Sequence, residues 1–284
     1  MDVLRRLMNV RRTSEKHERD GRLRSCQCTQ AQLQSEAFQA WCARLGERPM
    51  RMHRKIWEYC YIVQALHERG MLKAGRRGLG FAVGQEPLPA MFASLGSEIV
   101  ASDLGMDKVD KAKWVDTHQH AASLEALNQR GICDADSFRQ RVTFRFLDMR
   151  ELPDGLGTFD FIWSSCSLEH LGTMALGENF ILESLKYLKP GGVAVHTTEF
   201  NARSNLLTLK RGAIAVFRRR DLERIAKRLR QLGYAVDLDF SSGNLPCDKV
   251  IDRSPYKEEI HLKLLLRIFV VTSFGLIIER PRGE

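Results

Sequence analysis

A glycine-rich segment and an acid that follows it are the residues best placed to do chemistry in this chain. The segment runs from Gly78 to Gly84, and Asp103 stands 19 residues beyond its last glycine. A glycine-rich turn after a strand lets a ligand approach the backbone closely, and an acid about 20 residues on can accept hydrogen bonds from a ribose diol. The two features predict a nucleotide-binding α/β sheet, and they fit NAD as well as S-adenosylmethionine.

The residues after this loop weakly favour a cationic ligand. Gln85-Glu86-Pro87 comes next, and the carboxylate of Glu86 would repel a pyrophosphate. A sulfonium ligand would instead tolerate that charge. The alternative is structural: Glu86 is then a favourable acid in the first turn of a helix that has Pro87 at an early position. Both interpretations stay open at this point.

Three later segments carry a resemblance to a known family. They are Asp148-Met149, Phe159-Asp-Phe-Ile-Trp163 and the Leu188-Lys-Pro-Gly-Gly that leads into Val193. In their order and spacing they resemble the class I S-adenosylmethionine-dependent methyltransferases, and the resemblance runs from about Trp57 to Ile278. In that family the second acid lies near the adenine, the Phe-Asp strand ends beside the methyl donor, and the Pro-Gly-Gly turn opens the fifth strand.

The first motif departs from the family pattern at two positions. Gly78 stands where the family usually has an acid, and Ala82 replaces the middle glycine. Ala82 adds only a methyl group, whereas the missing acid removes one polar contact to the donor. The resemblance implies S-adenosylmethionine as the cofactor, although Asp103 has a structural alternative as the cap of the following turn. The expected cofactor-binding residues are Gly80, Phe81, Ala82, Gly84, Glu86, Asp103, Leu104, Asp148, Met149, Ser165 and Cys166.

The pattern of strands and helices predicts an α/β, Rossmann-like fold. Strands alternate with helices, which indicates a seven-stranded, mainly parallel sheet with helices on both faces and an antiparallel last strand. The expected helices include Pro89 to Leu95, Gly177 to Leu188, and Asp221 to Leu232 with Asp221 as N-cap. The expected strands are Arg77 to Phe81, Glu98 to Ser102, Val142 to Leu147, Phe159 to Ser164, Gly192 to Thr198, Ala235 to Phe240 and Phe269 to Ile278.

The chain divides into three predicted parts. Residues 1–30 are polar and basic and are expected to be mobile. Residues 31–74 show helical periodicity and form a helical extension. The resemblance implies a lid role for it, whereas the alternative is an amphipathic helix packed on the sheet. Trp57, Glu58 and Tyr59 are the residues to test. Residues 75–284 are the methyltransferase domain. Two long connections within it, 105–139 and 247–263, are expected to bind the acceptor.

Several side chains after strand ends are candidates for work on the acceptor. A hydroxyl acceptor has to lose a proton, and His170 or Glu199 could accept it, since a histidine titrates in the useful range. The alternative for His170 is a packing or hydrogen-bonding role. Glu169, Asn201 and Tyr256 are expected to bind the acceptor. No metal is expected, because His118 and His120 with Asp116 lack helical ligand spacing and a carboxylate cluster.

Composition limits the possible location and partners. Lys and Arg number 44 against 35 Asp and Glu, a net charge of +9. This excess is spread along the chain, so it favours nucleic acid only weakly. Seven cysteines without a Cys-x-x-Cys pair predict reduced thiols and a cytoplasmic location. The longest apolar stretch, Ile268 to Ile278, is too short to span a membrane.

The predicted activity is methyl transfer to a small polar acceptor. Three segments resemble bacterial methyltransferases of surface glycan synthesis: Leu168 to Gly172, Ala194 to Asn201 and His261 to Leu264. This resemblance implies O-methylation of a sugar or nucleotide-linked sugar. Three alternatives remain: an RNA methyltransferase, a dehydrogenase-like NAD protein, and a cofactor-binding module without activity. The terminal strand pair and Leu-Lys-Pro-Gly-Gly disfavour the dehydrogenase.

Overall fold

A computed structural model describes residues 21–105, 124–256 and 258–283. Asp116, His118 and His120, and much of the predicted acceptor connection 105–139, lie outside these residues. The part of connection 105–139 that is described contains a short 3-10 helix, Glu125–Asn128, and one α-helix, Ala135–Arg141.

One mixed sheet forms the centre of the molecule. Its order is β4-β3-β2-β5-β6-β9-β1-β7, and β8 pairs with β9. Strand β9 runs antiparallel to β6, whereas β2 to β6 are mutually parallel. The strands are β1 Ser25–Gln27, β2 Arg77–Phe81, β3 Glu98–Asp103, β4 Val142–Phe146, β5 Phe159–Ser165, β6 Leu188–Asn201, β7 Leu238–Asp239, β8 Leu264–Leu266 and β9 Phe269–Glu279.

The predicted fold class is confirmed, with two differences in the strands. The sheet has nine strands rather than seven, because β1 and β8 also pair with β9. The strand expected from Ala235 to Phe240 is reduced to Leu238–Asp239, with an isolated bridge between Ala235 and Glu279.

The prediction of a mobile N-terminus is wrong for residues 25–27. Cys26 pairs with Gly275 of β9 on one side and with Asp239 of β7 on the other, so β1 is inserted between two strands from the C-terminal part of the chain. The buried Ser25 hydroxyl accepts a hydrogen bond from the Ile277 amide. The strand was not predicted because it has only three buried residues and follows the basic residues Arg22 and Arg24.

Helices cover both faces of the sheet. They are α1 Gln30–Leu33, α2 Glu36–Arg44, α3 Arg54–Glu68, α4 Leu88–Ser94, α5 Ala135–Arg141, α6 Met174–Ser184 and α7 Arg219–Gln231. The first five contribute to one apolar core and the last two to the other. Helix α7 begins earlier than predicted: Arg218 is its N-cap, and Asp221 lies in the first turn, where it accepts hydrogen bonds from the Arg218 amide and guanidinium.

Helix α3 is part of the core, which matters for the site. Trp57 and Tyr61 are fully buried and stack at 4.6 Å. A Cβ on Gly275 of β9 would lie 2.0 Å from the Tyr61 ring, so the glycine lets the helix approach the sheet closely. This contact holds α3 against β9, and α3 also packs on β5 and β6. The lid role implied for residues 31–74 stays a prediction.

Candidate functional site

The strand order reverses between β2 and β5, and ligands of open α/β sheets bind beyond the carboxyl ends of the strands at such a point. The glycine-rich loop begins there, at the end of β2. Gly84 adopts φ +52°, and Ala82 adopts φ +47°, a left-handed conformation that a side chain tolerates poorly. The local backbone is therefore strained where it would face a ligand.

Neighbouring aromatic rings explain both Gly78 and Gly80. A Cβ on Gly78 would lie 2.3 Å from the Phe161 ring, and one on Gly80 would lie 2.3 Å from the Trp163 ring. Both rings come from β5, which pairs with β2 residue by residue. The acid that the family usually has at position 78 is therefore sterically incompatible with Phe161.

The structure excludes the first-turn interpretation of Glu86, whereas its contact with a ligand stays a prediction. It precedes α4, whose N-cap is Pro87, so it is not a first-turn acid. Its side chain is buried, and Oε1 accepts a 2.7 Å hydrogen bond from Trp163 Nε1. Burial raises the pKa of Glu86 to about 8, against the lowering effects of this hydrogen bond and of Lys55. A carboxyl group thus lies beside the glycine loop although position 78 has none.

Asp103 holds the glycine loop. Its Oδ2 accepts a 3.2 Å hydrogen bond from the Gly84 amide, and its Oδ1 accepts a 2.8 Å bond from the Leu104 amide. The Asp103 carbonyl accepts from the amide of Leu147, which joins the ends of β3 and β4. The turn-capping alternative therefore describes one of its bonds, and the contact of its carboxylate with a ribose stays a prediction.

The remaining predicted cofactor residues lie along the same edge. Asp148 forms an ion pair with Arg150 at 2.7 Å, and the Met149 side chain is buried beside it. Phe81 differs from the prediction, because its ring packs in the core 5.1 Å from Phe180. Only the Phe81 backbone is able to face a ligand.

The end of β5 contacts helix α3 through a buried polar group. Ser165 Oγ donates to Glu58 Oε2 at 3.3 Å, and Lys55 Nζ pairs with the same oxygen at 2.7 Å. Ser273 Oγ also donates to Glu58. Burial raises the pKa of Glu58, but Lys55 and Arg54 outweigh it and bring that pKa to about 2. Cys166, next along the chain, has φ +46°, and its amide donates to Thr197 Oγ1.

A second buried ion pair lies beside the first. Arg54 Nη2 contacts Glu199 Oε1 at 2.5 Å, and both side chains are largely buried. Arg54 Nη1 and Glu199 Oε2 are buried without a hydrogen-bond partner among the residues that the structure describes. Burial lowers the pKa of Arg54, but Glu199 outweighs it and raises that pKa well above its ordinary value. Glu199 was predicted from the sequence as a site residue, whereas Arg54 and Lys55 were not.

Glu169 is a buried carboxyl after the end of β5. Its Oε2 accepts from Thr198 Oγ1 at 3.2 Å, whereas its Oε1 has no partner within the described part of the chain. Burial and the charge of Glu199 raise the pKa of Glu169 above its ordinary value. The hydroxyl of Ser167 is likewise buried and unsatisfied. Unsatisfied buried polar atoms are uncommon in folded proteins.

His170 is oriented by the backbone. Its Nδ1 lies 2.8 Å from the carbonyl oxygen of Ala213. A carbonyl oxygen only accepts, so Nδ1 carries the proton and Nε2 of the neutral ring carries the lone pair. Burial lowers the pKa of His170, and the charges of Glu199, Lys55 and Arg54 also act on it. The lowered pKa favours the neutral ring, and the three charges show that His170 lies near Arg54, Lys55 and Glu199.

Asn201 and Tyr256 make local contacts instead. The Asn201 Oδ1 accepts from the amides of Arg203 and Ser204, and its Nδ2 donates to the Leu207 carbonyl. The Tyr256 hydroxyl donates to the Leu265 carbonyl at 2.9 Å. These bonds use the polar groups that were expected to bind an acceptor, so neither residue is part of the site proposed below.

Comparison with known proteins identifies the class of enzyme. Residues 79–196 match the family profile described as a methyltransferase domain, and they include the glycine loop, Asp103 and the ends of β4 and β5. The chain contains a class I S-adenosylmethionine-dependent methyltransferase domain. No curated protein matches the sequence. Within the described residues of this methyltransferase, no group of His, Cys, Asp and Glu is suited to a metal ion, and no helix is long and apolar enough to cross a membrane.

Solved structures share the methyltransferase fold at low sequence identity. The [4+2]-cyclase SpnF is 20% identical with a TM-score of 0.51, covering 78% of this chain and 81% of its own. A putative sarcosine dimethylglycine methyltransferase from Galdieria sulphuraria is 16% identical, with a TM-score of 0.49 and coverage of 81% and 85%. Magnesium protoporphyrin IX methyltransferase from Synechocystis, solved with bound S-adenosylmethionine, is 13% identical, with a TM-score of 0.48 and coverage of 88% and 94%. At such identities the likeness concerns the fold alone.

Proposed function

We propose that this methyltransferase methylates a hydroxyl group of a small polyhydroxylated acceptor, a sugar or a nucleotide-linked sugar, at the carboxyl ends of β5 and β6. One observation carries the proposal. Arg54 Nη1, Glu199 Oε2 and Glu169 Oε1 are buried polar atoms without partners among the described residues. The charge of Glu199 acts on both Arg54 and Glu169, so the three side chains lie close together. Such atoms are expensive unless a ligand satisfies them.

A polyol matches these three atoms chemically. Arg54 Nη1 is a donor and needs an acceptor, whereas the carboxylate oxygen of Glu199 is an acceptor and needs a donor. A hydroxyl group does both, so neighbouring hydroxyls of a sugar satisfy a cation and a carboxylate at once. An apolar acceptor would leave all three atoms unsatisfied. The two cations Arg54 and Lys55 also suit a phosphate on a nucleotide-linked sugar.

The donor is proposed to lie along the edge from β2 to β5. The left-handed turn at Gly84 suits the amino-acid part of S-adenosylmethionine, Asp103 suits the ribose hydroxyls, and Asp148-Met149 suit the adenine. The buried carboxyl of Glu86 is proposed to accept the donor's ammonium group, in place of the acid absent at Gly78. These assignments fit the chemistry of the side chains at each position.

In this proposal His170 is the general base. When bound, S-adenosylmethionine supplies an electrophilic methyl group on a sulfonium. The Nε2 of His170 accepts the proton as the acceptor oxygen bonds to that methyl carbon and the carbon–sulfur bond breaks. Arg54, Glu199 and Glu169 hold the acceptor in line with the methyl group, and the buried position excludes water.

The test is turnover with a labelled methyl donor. The purified protein is incubated with S-adenosylmethionine and a panel of nucleotide-linked sugars, and the product is located by mass spectrometry. His170→Gln should lower kcat by about 10²-fold or more, and the defect should diminish at high pH as the acceptor hydroxyl ionises more readily. His67→Gln is the matched control. His67 lies at the far end of α3, is exposed and contacts Trp41 of α2.

Two results would contradict the proposal. Methylation of RNA with no methylation of any sugar in the panel would assign the acceptor to nucleic acid. Full activity of His170→Gln across the pH range would remove His170 from proton transfer while leaving the choice of acceptor to the product analysis.

A further inference from the structure

Three large aliphatic side chains project into solvent from two adjacent loops. Leu206 is 75% exposed and Leu207 is 68% exposed in the loop after β6, and Ile268 is 78% exposed in the turn between β8 and β9. An aliphatic residue in a tight hairpin turn is unusual, because such turns favour Asn, Asp and Gly. We call Leu206, Leu207 and Ile268 the apolar tips.

The sheet register brings the two loops together. Asn201, the last residue of β6, pairs with Val271 of β9, and the Ala202 amide then donates to the Val270 carbonyl. Both loops therefore leave the sheet at one end, which is the carboxyl end of the parallel strands. Beneath the tips lies a small apolar cluster of Val216, Leu264 and Val271, with Leu209, Ile214, Leu266 and Phe269 packed against it.

Leu206 and Leu207 are exposed on a loop whose backbone is held by hydrogen bonds. Arg218 Nη1 donates to the Leu206 carbonyl at 2.6 Å, and the Arg220 amide donates to Asn205 Oδ1 at 2.9 Å. Asn201 Nδ2 donates to the Leu207 carbonyl at 3.1 Å. The backbone is thus fixed so that these side chains face outward, and folding leaves their apolar surface in water.

The two chain segments that carry the tips contain more cations than acids. From residue 200 to 220 the chain has six Lys and Arg residues and no Asp or Glu, and from 260 to 278 it has Lys263 and Arg267 and no acid. Arg218 and Arg219 pair with Asp221 and Glu223 of α7. The exposed side chains of Arg203, Lys210, Arg211 and Arg267 form no ion pair with the other described residues.

We propose that the apolar tips and these four cations dock on the surface of an anionic lipid membrane. Aliphatic side chains that enter the acyl boundary, together with a rim of cations near anionic headgroups, are the two components of peripheral membrane binding. The lack of acids from residue 200 to 220 and from 260 to 278 complements that negative surface. A nucleic-acid site would instead call for several exposed aromatic rings for stacking. Here Phe217 is buried and Phe269 is half-buried, and the exposed Tyr256 is held by a hydrogen bond to the Leu265 carbonyl.

The test uses the full chain and vesicles. Vesicles of phosphatidylcholine alone, and of phosphatidylcholine with phosphatidylglycerol, are mixed with the protein and sedimented. The protein should sediment with the anionic vesicles, less so as salt rises. The triple variant Leu206→Ser, Leu207→Ser and Ile268→Ser should bind at least about tenfold more weakly. The variant Arg203→Glu with Arg267→Glu should lose the preference for phosphatidylglycerol.

The control is Leu232→Ser, because Leu232 is a comparably exposed leucine, at 59%, in the C-cap of α7 outside this surface. It should bind vesicles like the unaltered protein. Thermal unfolding of every variant checks that the fold is retained. The proposal fails if the unaltered protein does not sediment with anionic vesicles, or if the triple variant sediments equally well. Binding of RNA that needs the cations but not the tips, without vesicle binding, would assign the surface to nucleic acid.

Discussion

Trp163 Nε1 donates a 2.7 Å hydrogen bond to Glu86 Oε1, so that a β5 side chain fixes a carboxyl beside the glycine loop of β2. The ring of Trp163 also fills the space that a side chain at position 80 would need. One residue thus sets both the shape of the loop and the position of a buried acid beside it. Trp163 and Glu86 lie 77 residues apart in the chain.

The raised pKa of Glu86 predicts a pH-dependent loss of stability. The folded-state pKa of about 8 exceeds the ordinary value of 4.5, so the protonated carboxyl is favoured in the folded state. Its contribution is fully present below pH 4.5 and is lost as the pH rises through 8. Glu86→Gln keeps an acceptor for Trp163 and removes the titration. Denaturant unfolding between pH 5 and 8.5 should therefore show the variant gaining stability relative to the unaltered protein as pH rises; parallel curves would contradict the assignment.

Gly78 cannot be returned to the family pattern without loss of stability. Gly78→Asp places a side chain against the Phe161 ring and buries a charge, which should destabilise the fold by about 2 kcal/mol or more. The measurement is urea unfolding, with Gly78→Ala compared in the presence and absence of Phe161→Leu. A smaller effect of Gly78→Ala in the Phe161→Leu background is expected, and equal effects in both backgrounds would exclude the ring as the cause.

Asp103 should contribute directly to donor affinity. Its carboxylate orders Gly84 and Leu104 and lies at the predicted ribose position. Asp103→Ala should weaken binding of S-adenosylhomocysteine by at least about tenfold, as expected for loss of hydrogen bonds to a charged group. Calorimetric titration measures this directly, with the exposed Asp136→Ala as the control. Unchanged affinity in Asp103→Ala would place the ribose elsewhere.

The ion pair of Arg54 and Glu199 should affect stability far more than an exposed pair. Arg54→Met leaves the Glu199 carboxylate buried and unpaired, which costs about 3 kcal/mol. Arg139→Met breaks the exposed pair with Asp136 and should cost at most about 1 kcal/mol. Thermal unfolding compares the two, and Arg54→Met with Glu199→Gln should recover part of the loss. Equal losses in the two single variants would show that burial does not matter for this pair.

Local patterns in the sequence were sufficient for the sheet and its glycine loop. The strands β2, β3 and β5 are short, mostly buried runs of neighbouring residues, and the spacing from Gly84 to Asp103 is likewise local, so these strands were predicted closely. Arg54 and Lys55 were missed because their position depends on how α3 sits on the sheet. Tyr61 against Gly275 sets that position, and these residues are 214 apart. The aromatic obstruction at Gly78 and the buried site of Glu86 are likewise contacts between distant residues.

The insertion of β1 between β9 and β7 has a consequence for the order in which the protein is made. Ser25–Gln27 leave the ribosome long before Gly275, with which Cys26 must pair. The early segment therefore waits without its two neighbours while β2 to β6 are able to assemble. Contacts of such large sequence separation form late and slowly. The last step of assembly is thus expected to be the closing of this N-terminal strand into a gap bounded by C-terminal residues.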